Sequence, residues 1–280
     1  MKITYYGTAA GAGIPEMFCS CRVCENARRV RGAEIRTRSQ AVIDDRLGLD
    51  FPVDALMHTL HGGLDMRKVR HVLITHNHHD HFMGADAISR PLWEGEPMRF
   101  YASEKSGRGF KNAIDNNEKA YREGKRIRTS NYIPEMHFLE LFTPTEIGGY
   151  TVTALRANHA EATDGVVYLI EGEKNVLWLH DTGLLPEDTK DYLKHCGLRF
   201  DFVSMDCTLA RGNPITAHHM DLDRCIETAA FLREWGGIDE KTTLALSHIG
   251  HLVERTHEEL EAEAAPYGFT VAYDGKTYEF

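Results

Sequence analysis

Thr75-His76-Asn77-His78-His79-Asp80-His81 follows directly on the apolar run Val72-Leu73-Ile74. The stretch reads His-x-His-x-Asp-His and places four metal-ligating side chains, His76, His78, Asp80 and His81, close together in the chain. In extended backbone, residues two apart point the same way, so His76 and His78 can grip one ion together. On a helix the same pair would be splayed to opposite sides. The spacing therefore predicts a strand end or a loop, with Asp80 and His81 following where the chain turns before Gly84. Imidazole and carboxylate are ligands of zinc, manganese and iron. A merely solvated histidine-rich loop has no need of an apolar strand feeding it, with a carboxylate in register.

Upstream, a strand is expected over 3–6, followed by Gly7-Thr8-Ala9-Ala10-Gly11-Ala12-Gly13. That loop lacks the lysine of a phosphate-binding P-loop and no helical pattern follows it, so it reads as a flexible turn. Next comes Cys19-Ser20-Cys21-Arg22-Val23-Cys24. Thiolates at this spacing can converge on one ion, so the stretch reads as a structural zinc half-site whose fourth ligand comes from elsewhere, with a redox pair or a chance cluster as the alternatives. Arg28, Arg29, Arg31, Arg36 and Arg38 read as a solvated helix and turn. Residues 40–44 and 47–51 read as a hairpin, 53–60 as a short helix and 69–75 as a buried strand. His58 and His61 belong to no tight cluster and are not taken as ligands.

Downstream, a strand is expected over 98–102, and the charge-mixed segment 104–125 reads as a surface helix or insertion. Strands then return over 136–142, 150–157, 166–171, 176–180, 200–206, 243–247, 269–273 and 276–280. Helical patterns interrupt them over 186–195, 222–235 and 256–265. Two strand-rich halves with helices between predict an α/β (α+β) chain, two sheets packed together with helices outside. Residues 1–280 are expected to form a single domain.

Composition agrees with an ordinary globule: 280 residues, 42% hydrophobic and 26% charged. No apolar run is long enough to span a bilayer. The alternating start, Met1 to Gly7, lacks a signal peptide's charged head and apolar core, so a cytoplasmic protein is expected. Lys and Arg number 32 against 42 Asp and Glu, and the net charge of −10 disfavours nucleic acid as a partner. Six cysteines in a reducing compartment read as thiols or metal ligands rather than disulfides. A homodimer is the default expectation for assembly.

Three further strand ends carry a suitable ligand. His159 follows the strand ending near Ala157, Asp181 follows 176–180, and His248 follows 243–247. With the first cluster they form an ordered series, His-x-His-x-Asp-His, then His, Asp and His. In this the chain resembles the metallo-β-lactamase-fold hydrolases over nearly its whole length. The resemblance implies a four-layer αββα sandwich with the site at one edge of the two sheets. It also implies a dinuclear centre of manganese or zinc, with iron also suited. His76, His78 and His159 would hold one ion, Asp80, His81 and His248 the other, and Asp181 would bridge them.

A narrower resemblance is to the phosphoribosyl cyclic phosphate phosphodiesterases of the carbon–phosphorus lyase pathway. It rests on Cys19, Cys21 and Cys24 together with His251, three residues after His248. These four would form a structural zinc site pinning the His248 loop to the N-terminal segment. In this group and in the related tRNA 3′-processing enzymes, a histidine in a Gly-His-Met-Ser loop is the general acid. Here the loop reads His218-His219-Met220-Asp221, so His218 and His219 both stand as candidates, with His219 the better match.

The implied chemistry is hydrolysis of a small phosphate ester. Two ions about 3.5–4 Å apart share a hydroxide whose pKa falls toward neutrality. Asp80 and Asp181 would orient it, and the histidine would protonate the leaving alkoxide. The same ligand set also serves lactone, thioester and RNA hydrolysis.

Overall fold

The computed structural model describes residues 1–89, 96–125, 133–213 and 217–280. Its strands form two sheets. The first contains β1 (Lys2–Gly7), β2 (Gln40–Ile43), β3 (Leu47–Leu49), β4 (His71–Leu73), β5 (Arg99–Ala102) and β6 (Glu135–Phe138), side by side in chain order. The second contains β7 (Thr145–Ile147), β8 (Tyr150–Arg156), β9 (Val166–Glu171), β10 (Asn175–Leu179), β11 (Phe202–Asp206), β12 (Thr243–Ser247) and β13 (Phe269–Val271), likewise in order. The last strand, β14 (Thr277–Glu279), returns to the first sheet beside β1.

The two sheets repeat one plan. From β14 through β3 the pairings are antiparallel, and from β3 to β6 they are parallel. From β7 through β10 they are antiparallel, and from β10 to β13 parallel. As a result β4, β8, β10, β11 and β12 all deliver their C-terminal ends to one edge of the molecule.

Alternation within each strand divides its side chains between two layers. In β10, Val176 and Trp178 face the core between the sheets, while Leu177 and Leu179 face the helices. In β9, Val166, Tyr168 and Ile170 point to the inter-sheet core, while Val167 and Leu169 point outward. Such strands read as unbroken apolar runs because both faces are covered. Helix α1 (Arg22–Val30) packs on the second sheet through Val23 and Ala27. Helices α2 (Ala55–His61), α3 (Gly84–Ser89) and α4 (Glu104–Arg122) cover the first through Ala55, Ala87, Phe110 and Ile114. Helices α5 (Glu187–His195), α6 (Leu222–Glu234) and α7 (His257–Ala264) cover the second through Leu193, Leu232 and Leu260. The expected αββα layering is therefore observed.

Several local expectations differ. The strand expected over 136–142 stops at Phe138, and the short strand β7 and helix α3 carry no strong periodicity of their own. The strand expected over 69–75 is regular only over His71–Leu73, because the Thr75 N–H leaves the ladder to donate to Asp50 Oδ1 at 2.9 Å. Arg28 and Arg29 are solvated as expected, but Arg36 is not: it is 3% exposed. Its guanidinium donates to Thr8 Oγ1 at 2.8 Å and to the Ala272 carbonyl at 2.5 Å. A buried cation is tolerable only with such partners, and these lie far away in sequence.

His58 is likewise buried and structural. Its Nδ1 lies 2.6 Å from Gln40 Oε1 and its Nε2 lies 2.8 Å from Thr37 Oγ1. Burial lowers its pKa to about 4, against the opposing pull of Asp54. The unfolded chain takes up this proton near pH 6.5 and the folded chain only near 4. The stability linked to His58 is thus complete above pH 6.5 and lost as pH falls toward 4, up to about 3 kcal/mol. Acid unfolding followed by circular dichroism should show a shallower decline over that window in His58→Asn than in the wild type. Identical slopes would rule out this origin.

Candidate metal centre

The residues that line this centre come from the C-terminal ends of strands in both sheets. After β4, the 76–81 loop supplies His76, His78, Asp80 and His81. After β8 comes His159, after β10 Asp181, and after β12 His248. Two of these strand ends are bent into left-handed backbone, Asp181 at φ 51° and His248 at φ 55°. A non-glycine residue seldom adopts that conformation, and such strain concentrates at functional sites.

On one side, His76 Nε2 lies 2.9 Å from His78 Nδ1, which lies 3.5 Å from His159 Nε2. On the other, His81 Nε2 lies 3.1 Å from His248 Nε2 and 3.5 Å from Asp80 Oδ2. Asp181 stands between the two groups. Its Oδ1 is 3.7 Å from His159 Nε2, and its Oδ2 is 2.7 Å from His81 Nε2 and 3.0 Å from His248 Nε2. The ligand atoms within each of these two groups lie within 4.8 Å of one another. His76 and His81 are fully buried on the floor, while His78 is exposed at the opening.

The remote nitrogens of these rings are engaged elsewhere. His81 Nδ1 lies 2.7 Å from Asp50 Oδ2, and Asp50 Oδ1 accepts from the Thr75 N–H and hydroxyl at 2.9 Å each. His248 Nδ1 lies 2.8 Å from Thr208 Oγ1, which lies 2.7 Å from Asp206 Oδ1. His159 Nδ1 donates to the His218 carbonyl at 3.2 Å. The Nε2 of His159 points at Asp181 Oδ1, and the Nε2 atoms of His81 and His248 point at one another and at Asp181 Oδ2. That oxygen is buried and has no hydrogen-bond partner. Imidazole nitrogens and carboxylate oxygens converge here within 4.8 Å of one another, and this donor set fits a divalent metal.

His76, Asp181 and Asp80 are in their metal-binding charge states, whereas burial works against a charged His81 but Asp181 and Asp50 prevail and raise it well above the usual imidazole range, so metal binding there would release a proton. Burial holds His76 neutral, well below the usual imidazole range. Burial works against ionised Asp181, but His248 and His81 outweigh it and hold its carboxyl well below the usual range. Asp80 is lowered in the same way, with His81 outweighing burial. Neutral imidazole and ionised carboxylate are the metal-binding forms.

The two neighbouring histidines separate clearly. His219 is drawn into the site, its Nδ1 2.8 Å from Asp206 Oδ2 and 3.7 Å from Asp181 Oδ1, with its ring stacked on His248. Burial works against its charge, yet Asp206 prevails and pushes its pKa up to about 9. The His218 side chain is exposed, and its contribution to the site is the carbonyl that orients His159.

Cys19, Cys21, Cys24 and His251 also converge, with their ligand atoms within 4.8 Å of one another. His251 Nδ1 lies 3.3 Å from Cys19 Sγ and 3.6 Å from Cys21 Sγ. Although burial pushes the Cys21 thiol up, the Cys24 N–H and His251 bring it down to about 6. All six cysteines are free. No described helix is long and apolar enough to cross a membrane.

Asp50, Asp206 and Thr208 went unnoticed in the sequence. Asp50 and Asp206 share a signal with Asp181, an aspartate closing an apolar strand. The loop Gly7 to Gly13 also proves relevant, since a Cβ on Gly11 would lie 3.0 Å from Asp80 Oδ2.

An αββα sandwich with seven His and Asp side chains gathered at its edge defines a metallo-β-lactamase-fold metal hydrolase. Residues 48–249, well over half of the chain, match the family model for the beta-lactamase superfamily domain, and the chain belongs to that superfamily. His76 through His248 lie inside the matched span, whereas the cysteine cluster lies outside it. Among solved structures the fold is similar to that of a diphosphatase from the PhnP family, 22% identical, with a TM-score of 0.74 over 100% of this chain and 97% of that one. It is also similar to Zn(2+)-bound PqqB from Methylobacterium extorquens, 20% identical, with a TM-score of 0.67 over 100% of both. Human tRNase Z, short form, is 15% identical, with a TM-score of 0.64 over 100% of this chain and 99% of that one. A curated relative, the octanoyltransferase of Porphyromonas gingivalis, is 25% identical over 283 residues, 98% of this chain and 51% of that protein. The chain thus spans about half the length of that relative.

Asp50→Asn keeps the acceptor for Thr75 but turns an N–H toward His81 Nδ1. The proton must then move to Nε2, which removes a lone pair from the centre. Metal affinity measured by titration should fall roughly 10–100-fold while the circular dichroism spectrum is unchanged. Unaltered affinity would show that His81 does not depend on this tautomer.

Proposed function

We propose that this chain is a dinuclear metal-dependent phosphodiesterase acting on a small phosphate ester, a five-membered cyclic ester being the first candidate. The observation that carries the reading is the Asp206-held His219 beside Asp181, at the mouth of two converging donor sets. His76, His78 and His159 would hold one divalent ion and Asp80, His81 and His248 the second, with Asp181 facing both sets. Manganese or zinc, or iron, suits these N/O donors. Cys19, Cys21, Cys24 and His251 would hold a structural zinc. When bound, the ions supply Lewis acidity for the phosphoryl oxygens and lower the pKa of coordinated water.

The chain's own groups do the rest. Asp80 and Asp181 orient the attacking water by accepting its hydrogen bond. His219, kept protonated by Asp206, holds a proton at Nε2 and delivers it to the departing alkoxide oxygen. Asp50 and Thr208 keep His81 and His248 in the tautomers that face inward. The likeness to a PhnP-family diphosphatase and to tRNase Z supports phosphoryl chemistry. The net charge of −10 favours a small substrate over RNA. The curated relative's name points to acyl chemistry, and a lactone or thioester hydrolase on the same residues 1–280 is the competing reading.

Supplied with manganese or zinc, the protein should hydrolyse a generic phosphodiester and a five-membered cyclic phosphate, and Asp181→Ala should not. A fully metallated protein that turns over thioesters or lactones but no phosphodiester would overturn the proposal.

His219→Ala should retain its metal and lose about 10²–10⁴-fold in rate, most with the poorest leaving group. His218→Ala should stay within a few-fold of wild type. The reverse ranking in steady-state kinetics would reassign the acid.

A further inference from the structure

Each proposed ion draws ligands from both sheets. His76 and His78 come from the first sheet and His159 from the second; Asp80 and His81 come from the first and His248 from the second. A slide of one sheet on the other would therefore open both cages at once. The inter-sheet core of Ile3, Ile43, Leu49, Val152, Ile170 and Phe202 resists separation, but apolar contact has no direction and resists sliding weakly. Hydrogen bonds do have direction.

Among the described residues three tyrosine hydroxyls donate across the gap, and a fourth, that of Tyr278 on β14, accepts from Thr270 Oγ1 on β13 at 3.1 Å. Tyr168 on β9 donates to the carbonyl of Ile74, two residues before His76, at 2.6 Å. Beside it, the Val166 N–H donates to the Thr75 carbonyl at 3.0 Å, so β9 grips the root of the His-rich loop twice. In the opposite sense, Tyr5 on β1 donates to Ser204 Oγ on β11 at 2.6 Å. Ser204 Oγ lies 2.7 Å from His180 Nε2, and His180 Nδ1 lies 3.3 Å from Ser39 Oγ, which leads back to the first sheet. His180 is fully buried and immediately precedes Asp181, with Trp178 stacked on its ring at 3.7 Å and Tyr5 in turn stacked on Trp178 at 5.6 Å.

The third hydroxyl, of Tyr150, reaches Asp44 Oδ2 at 2.7 Å. Tyr150 opens β8, whose far end leads to His159, so this tether lies about 20 Å from the centre along the strand.

We propose that Tyr168 and the Tyr5–Ser204–His180 chain are positioning elements that lock the register of the two sheets beneath the centre and so close both ligand cages, whereas Tyr150 serves stability alone. This inference rests on the metal-centre reading above. The two reciprocal tethers reach the segments bearing His76 and Asp181, one from each sheet, and each Tyr→Phe change deletes a single oxygen without altering the apolar packing.

Tyr168→Phe, Tyr5→Phe and Tyr150→Phe should be stripped with chelator and titrated with Mn²⁺ or Zn²⁺ by calorimetry. Bound metal is counted independently, and exchange coupling of the manganese pair is read by electron paramagnetic resonance. Tyr168→Phe and Tyr5→Phe are expected to bind at least one ion roughly tenfold more weakly and to change the coupling. Tyr150→Phe should bind like wild type even where its melting temperature falls by as much. Wild-type affinity in both Tyr168→Phe and Tyr5→Phe, or an equal loss in Tyr150→Phe, would overturn the inference while leaving the metal reading intact. A wild-type protein that takes up no divalent ion would remove both. If Tyr168→Phe does not fold, Tyr5→Phe against Tyr150→Phe decides the matter.

Discussion

The constraint on which this structure depends is the buried oxygen of Asp181. Its Oδ2 has no hydrogen-bond partner, although His81 Nε2 and His248 Nε2 lie 2.7 and 3.0 Å away. An unpaired buried carboxylate is costly, and turning imidazole protons inward would satisfy it cheaply. The outer nitrogens of both rings have competing acceptors in Asp50 Oδ2 and Thr208 Oγ1, as that of His159 has in the His218 carbonyl. The surrounding network thus keeps the centre electron-rich, an arrangement that makes physical sense when a multivalent cation completes it.

The fold supplies this arrangement by bringing two sheets of the same plan to one edge. Their parallel strands end together, and the chain bends sharply as it leaves them. Asp181 and His248 take left-handed backbone there, which swings their side chains from the strand direction toward the cleft. The cost of that strain is met below the site, where Trp178, Tyr168 and Tyr5 are fully buried and the sheets press together. Stability at the base and strain at the rim belong to one design.

What the sequence made legible follows from range. His76, His78, Asp80 and His81 are neighbours in the chain, so their spacing alone announces a ligand loop. His159, Asp181 and His248 each look ordinary singly and become readable as an ordered series at strand ends. Asp50 and Asp206 stayed hidden because their meaning lies in contacts made across the fold, Asp206 with His219 and Asp50 with His81. Arg36 was misread for the same reason, since its partners Thr8 and Ala272 are remote from the basic stretch it sits in. The choice between His218 and His219 also needed three dimensions, because adjacent residues in one loop differ only in which way they face.

The cysteine cluster bears on the same centre through the chain that connects them. Ile249 donates its N–H to the Thr8 carbonyl at 2.8 Å and accepts from Ala10 at 3.1 Å, so the residue after His248 is stitched to the N-terminal loop. That loop then lays Gly11 against Asp80, where even a methyl group would crowd the carboxylate. Two residues past Ile249, His251 meets Cys19 and Cys21. His248 is therefore held from three directions: by Thr208 on its ring, by the Thr8–Ala10 segment on its backbone, and by the cysteine cluster just beyond. A histidine at φ 55° needs such support, because relaxation of that one residue toward an ordinary conformation would carry its nitrogen away from Asp181. The N-terminal segment lies outside the span that matches the superfamily, yet it restrains His248 near the end of that span.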